Sequence, residues 1–412
     1  MQPQKFPTLL LVVLTIILLS LTLASSAWAA EYKVLYRFGG WEHNPLCSLT
    51  FDAVGNLYGT ATYGGTRFSG TVFKLTPNPD GSWTESTLYS FLGETDGAYP
   101  EAGLIFDAVG NLYGTTAYGG AGPCHNGCGT VFKLVPNPDG TWTESVIHTF
   151  LEIDGEEPRG GLIFDATGNL YGTTWGGGAH GAGTVFRLAT NPDGRWTRKV
   201  LHSFHGGMDG ANPKAVLALD SAGTLYGTTV NGGVADCSTY GSGCGTVFQL
   251  SQTPDGPWQK TRLHTFKGKG GANPFAGLIF DAARNLYGTT RRGGASDAGT
   301  VFKLAPNPDG SWTESKLHTF NKKDGAEPVG DLIFDASGNL HGTTRGSYYD
   351  WGSVFKLAPQ PDGHWIHSKL HAFKNGQFPW AGMVLDSSGN LYGTTVFGGD
   401  RFDDGVVFKI TP

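Results

Sequence analysis

A segment of eleven residues recurs seven times along the chain, and this repetition constrains the fold more than any other feature. The segment reads "FDAVGNLYGTT" from Phe106. Its copies begin at Phe51, Phe106, Phe164, Leu219, Phe280, Phe334 and Leu385. The second residue of every copy is aspartate, and successive aspartates are 51 to 61 residues apart. A period of this length indicates an array of similar structural units.

Each unit contains four segments with strand character. In the second unit they read "GLIFDA", "LYGTT", "GTVFKL" and "TWTESVIHTF", and the turn "NPDG" leads into the fourth. None of them has the apolar period of a helix. Gly accounts for 64 of the 412 residues, as expected of an all-β chain rich in turns. Four short strands per unit are typical of the blades of a β-propeller.

The two ends of the repeat array predict how the ring closes. The stretch "YKVLYRF", Tyr32 to Phe38, matches only the fourth segment, and the last unit stops at "GVVFKITP" without one. Pairing the first strand onto the last blade leaves no open sheet edge. We therefore predict an all-β, seven-bladed β-propeller, formed as one domain by residues 30–412. A β-solenoid is the weaker alternative, since solenoids normally use shorter repeats and dedicated caps.

The first 29 residues have a different composition. Lys5 is their only charged side chain, an apolar run extends from Leu9 to Leu23, and Ala27 and Ala29 occupy small-residue positions. This pattern predicts a secretory signal peptide over residues 1–29, with an uncleaved membrane anchor as the alternative. We expect an exported protein, secreted or periplasmic, that does not insert in a membrane after cleavage.

The complete unit, "GxLYGTT…GGxxxxGTVFKL", resembles the GloVer tandem repeat (Gloeobacter/Verrucomicrobia type) of bacterial exported proteins, whose C-terminal anchors differ between members. The resemblance covers nearly all of the chain after the predicted signal peptide. It implies a secreted or surface-attached repeat protein, and it brings no catalytic residues with it. The sequence shows no anchoring segment after its last strand, so we expect free secretion.

Residues that recur in nearly every unit are interpreted as architecture. They include the histidines of the fourth segments and the tryptophans that follow "PDG". The histidines are His148, His202, His264, His318 and His371, and the tryptophans are Trp83, Trp142, Trp196, Trp258, Trp312 and Trp365. Metal binding by these histidines is a weaker alternative. Calcium binding at the "FDAxGN" turn is also a weaker alternative, because a single carboxylate per turn makes a poor calcium site. We expect no metal and no cofactor.

The five cysteines divide into two close pairs and one single residue. Cys124 and Cys128 form one pair and Cys237 and Cys244 the other, and the second member of each directly precedes "GTVF". Export exposes a protein to oxidising conditions, so we predict two local disulfides and a free Cys47.

The loops between second and third segments, and those between units, vary while other turns are uniform. Variable loops on a rigid scaffold are common binding sites. Unrepeated aromatic, arginine and acidic residues gather there. The candidate binding residues are Trp175, Arg291, Arg292, Arg345, Tyr348, Tyr349, Asp350, Trp351 and Trp380.

These residue types suit a polar polymer, because aromatic rings contact the C–H faces of sugars and Arg and Asp hydrogen bond hydroxyls. We predict a monomeric extracellular binding or scaffold module for a polysaccharide or surface polymer, with a protein surface as the other possible partner. A propeller enzyme, either a polysaccharide lyase or a glycoside hydrolase, is one alternative, although no catalytic motif stands out. A purely structural surface protein is the other. The formal charge of −6 argues against nucleic acid.

Overall fold

A computed structural model describes residues 30–39, 44–233, 237, 242–253, 255–347, 350–398 and 404–412. The described residues form seven four-stranded antiparallel sheets, each made from consecutive strands except for the sheet that joins the two ends. The fold is the predicted seven-bladed β-propeller. The predicted signal peptide lies outside the described residues. A single 3-10 turn, Gly207–Asp209, interrupts the β-structure among them.

The two inner strands of each blade are short. The innermost strands have two residues each: β2 (Thr50–Phe51), β6 (Ile105–Phe106), β10 (Ile163–Phe164), β14 (Ala218–Leu219), β18 (Ile279–Phe280), β22 (Ile333–Phe334) and β26 (Val384–Leu385). The second strands are the "LYGTT" segments: β3 (Leu57–Ala61), β7 (Leu112–Thr116), β11 (Leu170–Thr174), β15 (Leu225–Thr229), β19 (Leu286–Thr290), β23 (Leu340–Thr344) and β27 (Leu391–Thr395). Every residue of these second strands is buried, because neighbouring blades cover both faces.

The two outer strands of each blade are longer. The third strands are β4 (Thr71–Pro77), β8 (Thr130–Pro136), β12 (Thr184–Thr190), β16 (Thr246–Gln252), β20 (Thr300–Pro306), β24 (Ser353–Pro359) and β28 (Val406–Thr411). The outermost strands are β1 (Glu31–Arg37), β5 (Trp83–Ser90), β9 (Trp142–Thr149), β13 (Trp196–Ser203), β17 (Trp258–Thr265), β21 (Trp312–Thr319) and β25 (Trp365–Ala372). Each outermost strand has a register shift near its C-terminal end, as opposite Val185/Phe186, where Leu201 is left without a partner in the pairing of β12 with β13.

The repeated aspartate closes the turn between first and second strands. In the first blade, Asp52 Oδ1 accepts hydrogen bonds from the backbone N–H groups of Val54 and Asn56, at 3.0 and 2.9 Å. Its Oδ2 accepts from Asn56 Nδ2 at 2.6 Å and from the Tyr58 hydroxyl at 3.1 Å. Burial alone would raise the pKa of Asp52, but these hydrogen bonds outweigh it and lower the pKa. Protein donors therefore occupy both oxygens that a calcium ion would need.

The hydrophobic core lies between the blades. Among the described residues, each buried cluster joins residues of two adjacent blades, such as Tyr58, Val72 and Phe91 with Leu112 and Phe132. Aromatic edge-to-face pairs repeat at these interfaces.

The repeated tryptophans belong to the same interfaces. Trp142 packs on Tyr58 of the preceding blade, with ring centroids 6.4 Å apart, and Trp196 packs on Tyr113 at 6.1 Å. These tryptophans therefore join one blade to the next.

The ring closes as the sequence predicts. Strand β1 pairs antiparallel with β28, from Glu31 opposite Thr411 to Arg37 opposite Val406. The packing between blades continues across the closure, because Trp83 of the first blade packs on Tyr392 of the last.

The predicted disulfides are present. Cys124 bonds Cys128 and Cys237 bonds Cys244, with Cα atoms 5.1 and 5.4 Å apart, while Cys47 is free and buried. Disulfides are compatible with an extracellular protein. Within the described residues, no helix is long and apolar enough to cross a membrane.

Candidate functional site at the mouth of the central channel

One position in the repeat is occupied by a different residue in every blade. It directly follows the proline of the linker into each innermost strand. We call its occupants the mouth residues: Leu46, Glu101, Arg159, Lys214, Phe275, Val329 and Trp380. All seven line one cavity of about 220 Å³. Because every blade contributes one lining residue, the cavity lies on the pseudo-sevenfold axis, at the face that carries the variable loops.

The repeat architecture fixes each mouth residue by holding its linker against the preceding blade. Next to Lys214, the backbone N–H of Asn212 donates to the Ala182 carbonyl at 2.8 Å. The hydroxyl of Thr173 in β11 donates to the Ala215 carbonyl at 3.2 Å. Gly183 (φ 96°) leaves room for Pro213, since a Cβ added at Gly183 would lie 2.7 Å from the proline Cδ. The backbone on both sides of Lys214 is therefore rigidly placed.

The residue before each linker proline has a left-handed backbone. The seven residues are Asn44, Tyr99, Glu157, Asn212, Asn273, Glu327 and Phe378, with φ between 30° and 57°. Asparagine adopts this conformation at the lowest cost among side chains larger than glycine, whereas Glu, Tyr and Phe are less suited to it. The four blades without asparagine therefore carry local strain, and in two of them the residue is a glutamate that binds arginine.

On one side of the mouth, a single cation lies between two carboxylates. Arg159 Nη1 lies 2.6 Å from Glu101 Oε1, and Arg159 Nη2 lies 2.9 Å from Glu157 Oε2. The same guanidinium also donates to the Tyr118 hydroxyl at 2.9 Å. Burial alone would lower the pKa of Arg159, but Glu101 and Glu157 outweigh it and raise the pKa. Both carboxylates on this side of the mouth are therefore engaged by Arg159.

On the other side, one carboxylate faces three guanidinium groups. Glu327 Oε2 accepts hydrogen bonds from Arg291 Nη2 and Arg345 Nη1, both at 2.9 Å, and Arg292 Nη2 lies 3.8 Å from Oε1. Burial lowers the pKa of Arg291, and the neighbouring cations Arg345 and Arg292 add to this effect against Glu327. Arg345 Nε is buried and has no hydrogen-bond partner among the described residues. This side retains excess positive charge.

Three cations of the mouth also lie against aromatic rings. The guanidinium of Arg345 lies 4.5 Å from the ring centroid of Trp380, and that of Arg291 lies 5.1 Å from the centroid of Phe275. Lys214 Nζ lies 5.2 Å from the centroid of Phe275 and 5.5 Å from that of Trp380. Distances below about 6 Å are those of cation–π contacts. Side chains from four blades are thereby brought together.

An acidic side chain lies farther along the channel wall. Asp331 occupies the second position after mouth residue Val329, and its Oδ1 accepts a hydrogen bond from the Gly277 N–H at 2.5 Å. Protein atoms surround the carboxyl group, although part of its surface remains open to the channel. This burial raises the pKa of Asp331, and the hydrogen bond from Gly277 only partly opposes the shift.

The structure brings several of the predicted binding residues together. Trp175, Arg291 and Arg292 line a second cavity of about 370 Å³, which shares Phe275 with the axial one. Arg345 and Trp380 are in contact at the mouth. Whether these residues bind a ligand stays a prediction.

The other predicted residues lie elsewhere. Asp350 accepts a hydrogen bond from the Gly352 N–H at 3.2 Å within its own loop. Trp351 is 39% exposed and packs on Phe378. Neither residue lines the two cavities. Tyr348 and Tyr349 lie outside the described residues.

The predicted residue set omitted Lys214, Phe275, Glu157 and Glu327. The signal for them was present in the linkers, which read "NPKAV", "NPFAG", "EPRGG" and "EPVGD". In the seven linkers, the residue directly after the invariant proline is different in every blade. Their convergence on one cavity follows from the circular arrangement of the blades.

Two groups of side chains have the composition of metal sites. In His202, His205 and Asp209, and again in His318, Asp324 and His367, the potential ligand atoms lie within 4.8 Å of one another. Asp209 is already engaged, since its Oδ2 lies 3.0 Å from both histidines and its Oδ1 lies 2.7 Å from Lys260 Nζ. A similar contact between an outer-strand histidine and a linker aspartate recurs at His148 and Asp154. We therefore interpret these groups as structural contacts that hold the outermost strands against the linkers between blades.

Comparison with known proteins supports the resemblance seen in the repeat. The model of the Gloeobacter/Verrucomicrobia repeat matches residues 19–241 and 237–412. The chain belongs to the Gloeobacter/Verrucomicrobia repeat family. A solved structure of a protein provisionally named a gluconolactonase is similar to this family member, with 15% identity, a TM-score of 0.42, and coverage of 93% of this chain and 92% of the other. No curated protein matches the chain.

Proposed function

We propose that this protein is an exported binding module that holds an extracellular polysaccharide, or a related surface polymer, at the mouth of its channel. The observation that carries the proposal is the position of the sequence variation. Seven blades repeat their strands, turns and inter-blade contacts, whereas the post-proline position differs in each and lines the axial cavity. A scaffold alone would not require seven different side chains at one point.

The chemistry of the mouth supports a polar ligand. Trp380, Phe275 and Trp175 provide apolar ring surface beside the guanidinium groups of Arg291 and Arg345. Sugars need both kinds of contact, because their C–H faces stack on rings and their hydroxyl groups require hydrogen-bond partners. Truncating such anchors typically costs 2 kcal/mol or more of binding free energy, which is roughly thirtyfold in affinity.

The test is a glycan array probed with wild-type protein and with Trp380→Ala. Array ligands should then be titrated by calorimetry, and Trp380→Ala should weaken binding by roughly thirtyfold or more. Phe68→Ala is the matched control, because Phe68 is an exposed aromatic residue, 56% accessible, in the β3–β4 loop on the same face. Thermal melting should show that both variants remain folded. Equal binding by wild type and Trp380→Ala would place the ligand elsewhere.

The same samples separate binding from catalysis. Each bound glycan should be incubated with the protein and analysed for shorter or unsaturated products. We expect intact ligand, and products that vanish in a mouth variant would replace the binding proposal with an enzyme. If no glycan binds, the structural role remains. N-terminal sequencing of protein recovered from the culture medium tests export, with a start near residue 30 as the expected result.

A further inference from the structure

Six side chains at the mouth form a closed series of contacts. We call this series the cation–aromatic cycle, and its members in contact order are Arg291, Phe275, Lys214, Trp380, Arg345 and Glu327. Three members are cations, two are aromatic and one is a carboxylate. The cycle therefore carries a net positive charge inside an acidic protein whose overall formal charge is −6.

The three cations of the cycle differ in their partners. Arg291 and Arg345 share the carboxylate of Glu327, with each N–O distance 2.9 Å. Lys214 lies across the cycle between the two aromatic rings. Within the part of the chain that the structure describes, its ammonium group has neither an ion pair within 4.0 Å nor a hydrogen-bond partner.

Nearby carboxylates are engaged with other groups. Glu101 is bound to Arg159 at 2.6 Å, and Asp331 accepts a hydrogen bond from Gly277 in the channel wall. Burial lowers the pKa of Lys214, the charge of Glu101 acts in the opposite direction, and Arg159 and Arg291 add to the lowering. Lys214 is half-buried, and packing between the two rings removes part of the water around its ammonium group. Partial desolvation of an ammonium group without a paired anion is unfavourable, and cation–π contacts of about 2 kcal/mol or less offset only part of that cost.

We propose that the cycle is a receptor for a carboxylate, so that the polymer bound at the mouth contains uronic acid units. A carboxylate of the ligand would form an ion pair with Lys214, as Glu327 does with Arg291 and Arg345. The inference rests on the proposed function, and it names the class of sugar. An acidic peptide offers the same carboxylate, but the rings of Phe275 and Trp380 and the aromatic cavity beside them favour a sugar over a peptide side chain.

The experiment compares two ligands of the same shape and different charge. Tetragalacturonate and its fully methyl-esterified form are titrated calorimetrically into wild-type protein at pH 7. We expect tetragalacturonate to bind at least tenfold more tightly than the ester, and added sodium chloride to reduce the difference. Lys214→Met should bring the two affinities together, whereas Lys214→Arg should retain the preference for the acid.

Lys199→Met is the matched control, because Lys199 is an exposed lysine of outermost strand β13. It should bind both ligands like wild type. If Lys214→Met does not fold, the wild-type comparison of acid and ester still decides the question.

The outcomes separate this inference from the proposed function. Equal wild-type affinity for acid and ester would overturn the carboxylate receptor while leaving a glycan-binding mouth. Tighter binding of tetraglutamate than of tetragalacturonate would overturn it in favour of an acidic peptide. An unchanged preference for the acid in a folded Lys214→Met would also overturn it. Failure of every glycan to bind, here and on the array, would instead remove the proposed function.

Discussion

Ring closure depends on strand β1, which no turn connects to the other three strands of its blade. Phe38 anchors this strand by packing. Phe38 directly follows β1, is 1% exposed, and packs edge-to-face on Phe73 at 5.1 Å in a cluster with Leu49 and Leu57. The other six blades place a phenylalanine at the corresponding position. In the third blade it is Phe204, which is fully buried and packs on Phe248 at 5.3 Å.

The two phenylalanines allow a matched pair of substitutions. Phe38→Ala and Phe204→Ala each remove the same buried ring and should each cost about 3 to 5 kcal/mol. Phe204 follows β13, which a tight turn ties to β12, so its strand stays in place. Strand β1 reaches β28 only through backbone pairing and side-chain packing. In Phe38→Ala the loss should therefore appear as local detachment of β1.

Hydrogen–deuterium exchange measures this difference directly. A loss of about 3 kcal/mol corresponds to roughly hundredfold faster exchange if the strand opens locally. We expect this acceleration over Glu31–Arg37 and Val406–Thr411 in Phe38→Ala, and not in Phe204→Ala. Unchanged protection of β1 in Phe38→Ala, or the same exchange pattern in both variants, would refute the argument that Phe38 holds the ring closed.

Three further predictions concern the blades. Burial and the charge of Asp96 raise the pKa of Glu144 to about 7. The folded state therefore favours the neutral acid, and the free energy of unfolding should fall as the pH rises from about 4.5 to 7. Glu144→Gln should therefore stabilise the protein by about 1 kcal/mol at pH 8 and not at pH 4, with exposed Glu152→Gln unchanged in thermal melts at both pH values. His341 replaces the tyrosine of the other "LYGTT" strands and leaves a buried Nδ1 without a partner among the described residues. His341→Tyr should raise stability by about 1 kcal/mol in urea melts, and a lower midpoint would contradict this. Thiol titration of unfolded protein should find one free cysteine, Cys47, and reducing both disulfides should cost about 2 to 2.5 kcal/mol per loop. A count above one would contradict the pairing.

The sequence alone determines the architecture because the repeat encodes the same local events in every unit. Each aspartate turn needs only neighbours within six residues, such as Asn56 and Tyr58 around Asp52. The number of blades follows from counting the copies. The closure follows from the missing fourth segment of the last unit, which Tyr32 to Phe38 replaces, and the disulfides follow from the close spacing of their cysteines.

The sequence could predict the candidate site only in part. The unrepeated Arg345 and Trp380 stand out within their loops. Lys214 does not, because one lysine in a linker has the same appearance whether it lies in solvent or on the axis. Its partners Phe275 and Trp380 are 61 and 166 residues away in the chain. The circular arrangement of the blades places these residues in one cavity, so only the tertiary structure brings them into contact. It also decides the charge balance, since Glu327 can compensate Arg291 and Arg345 while Lys214, on the far side of the cycle, has no carboxylate within reach among the described residues.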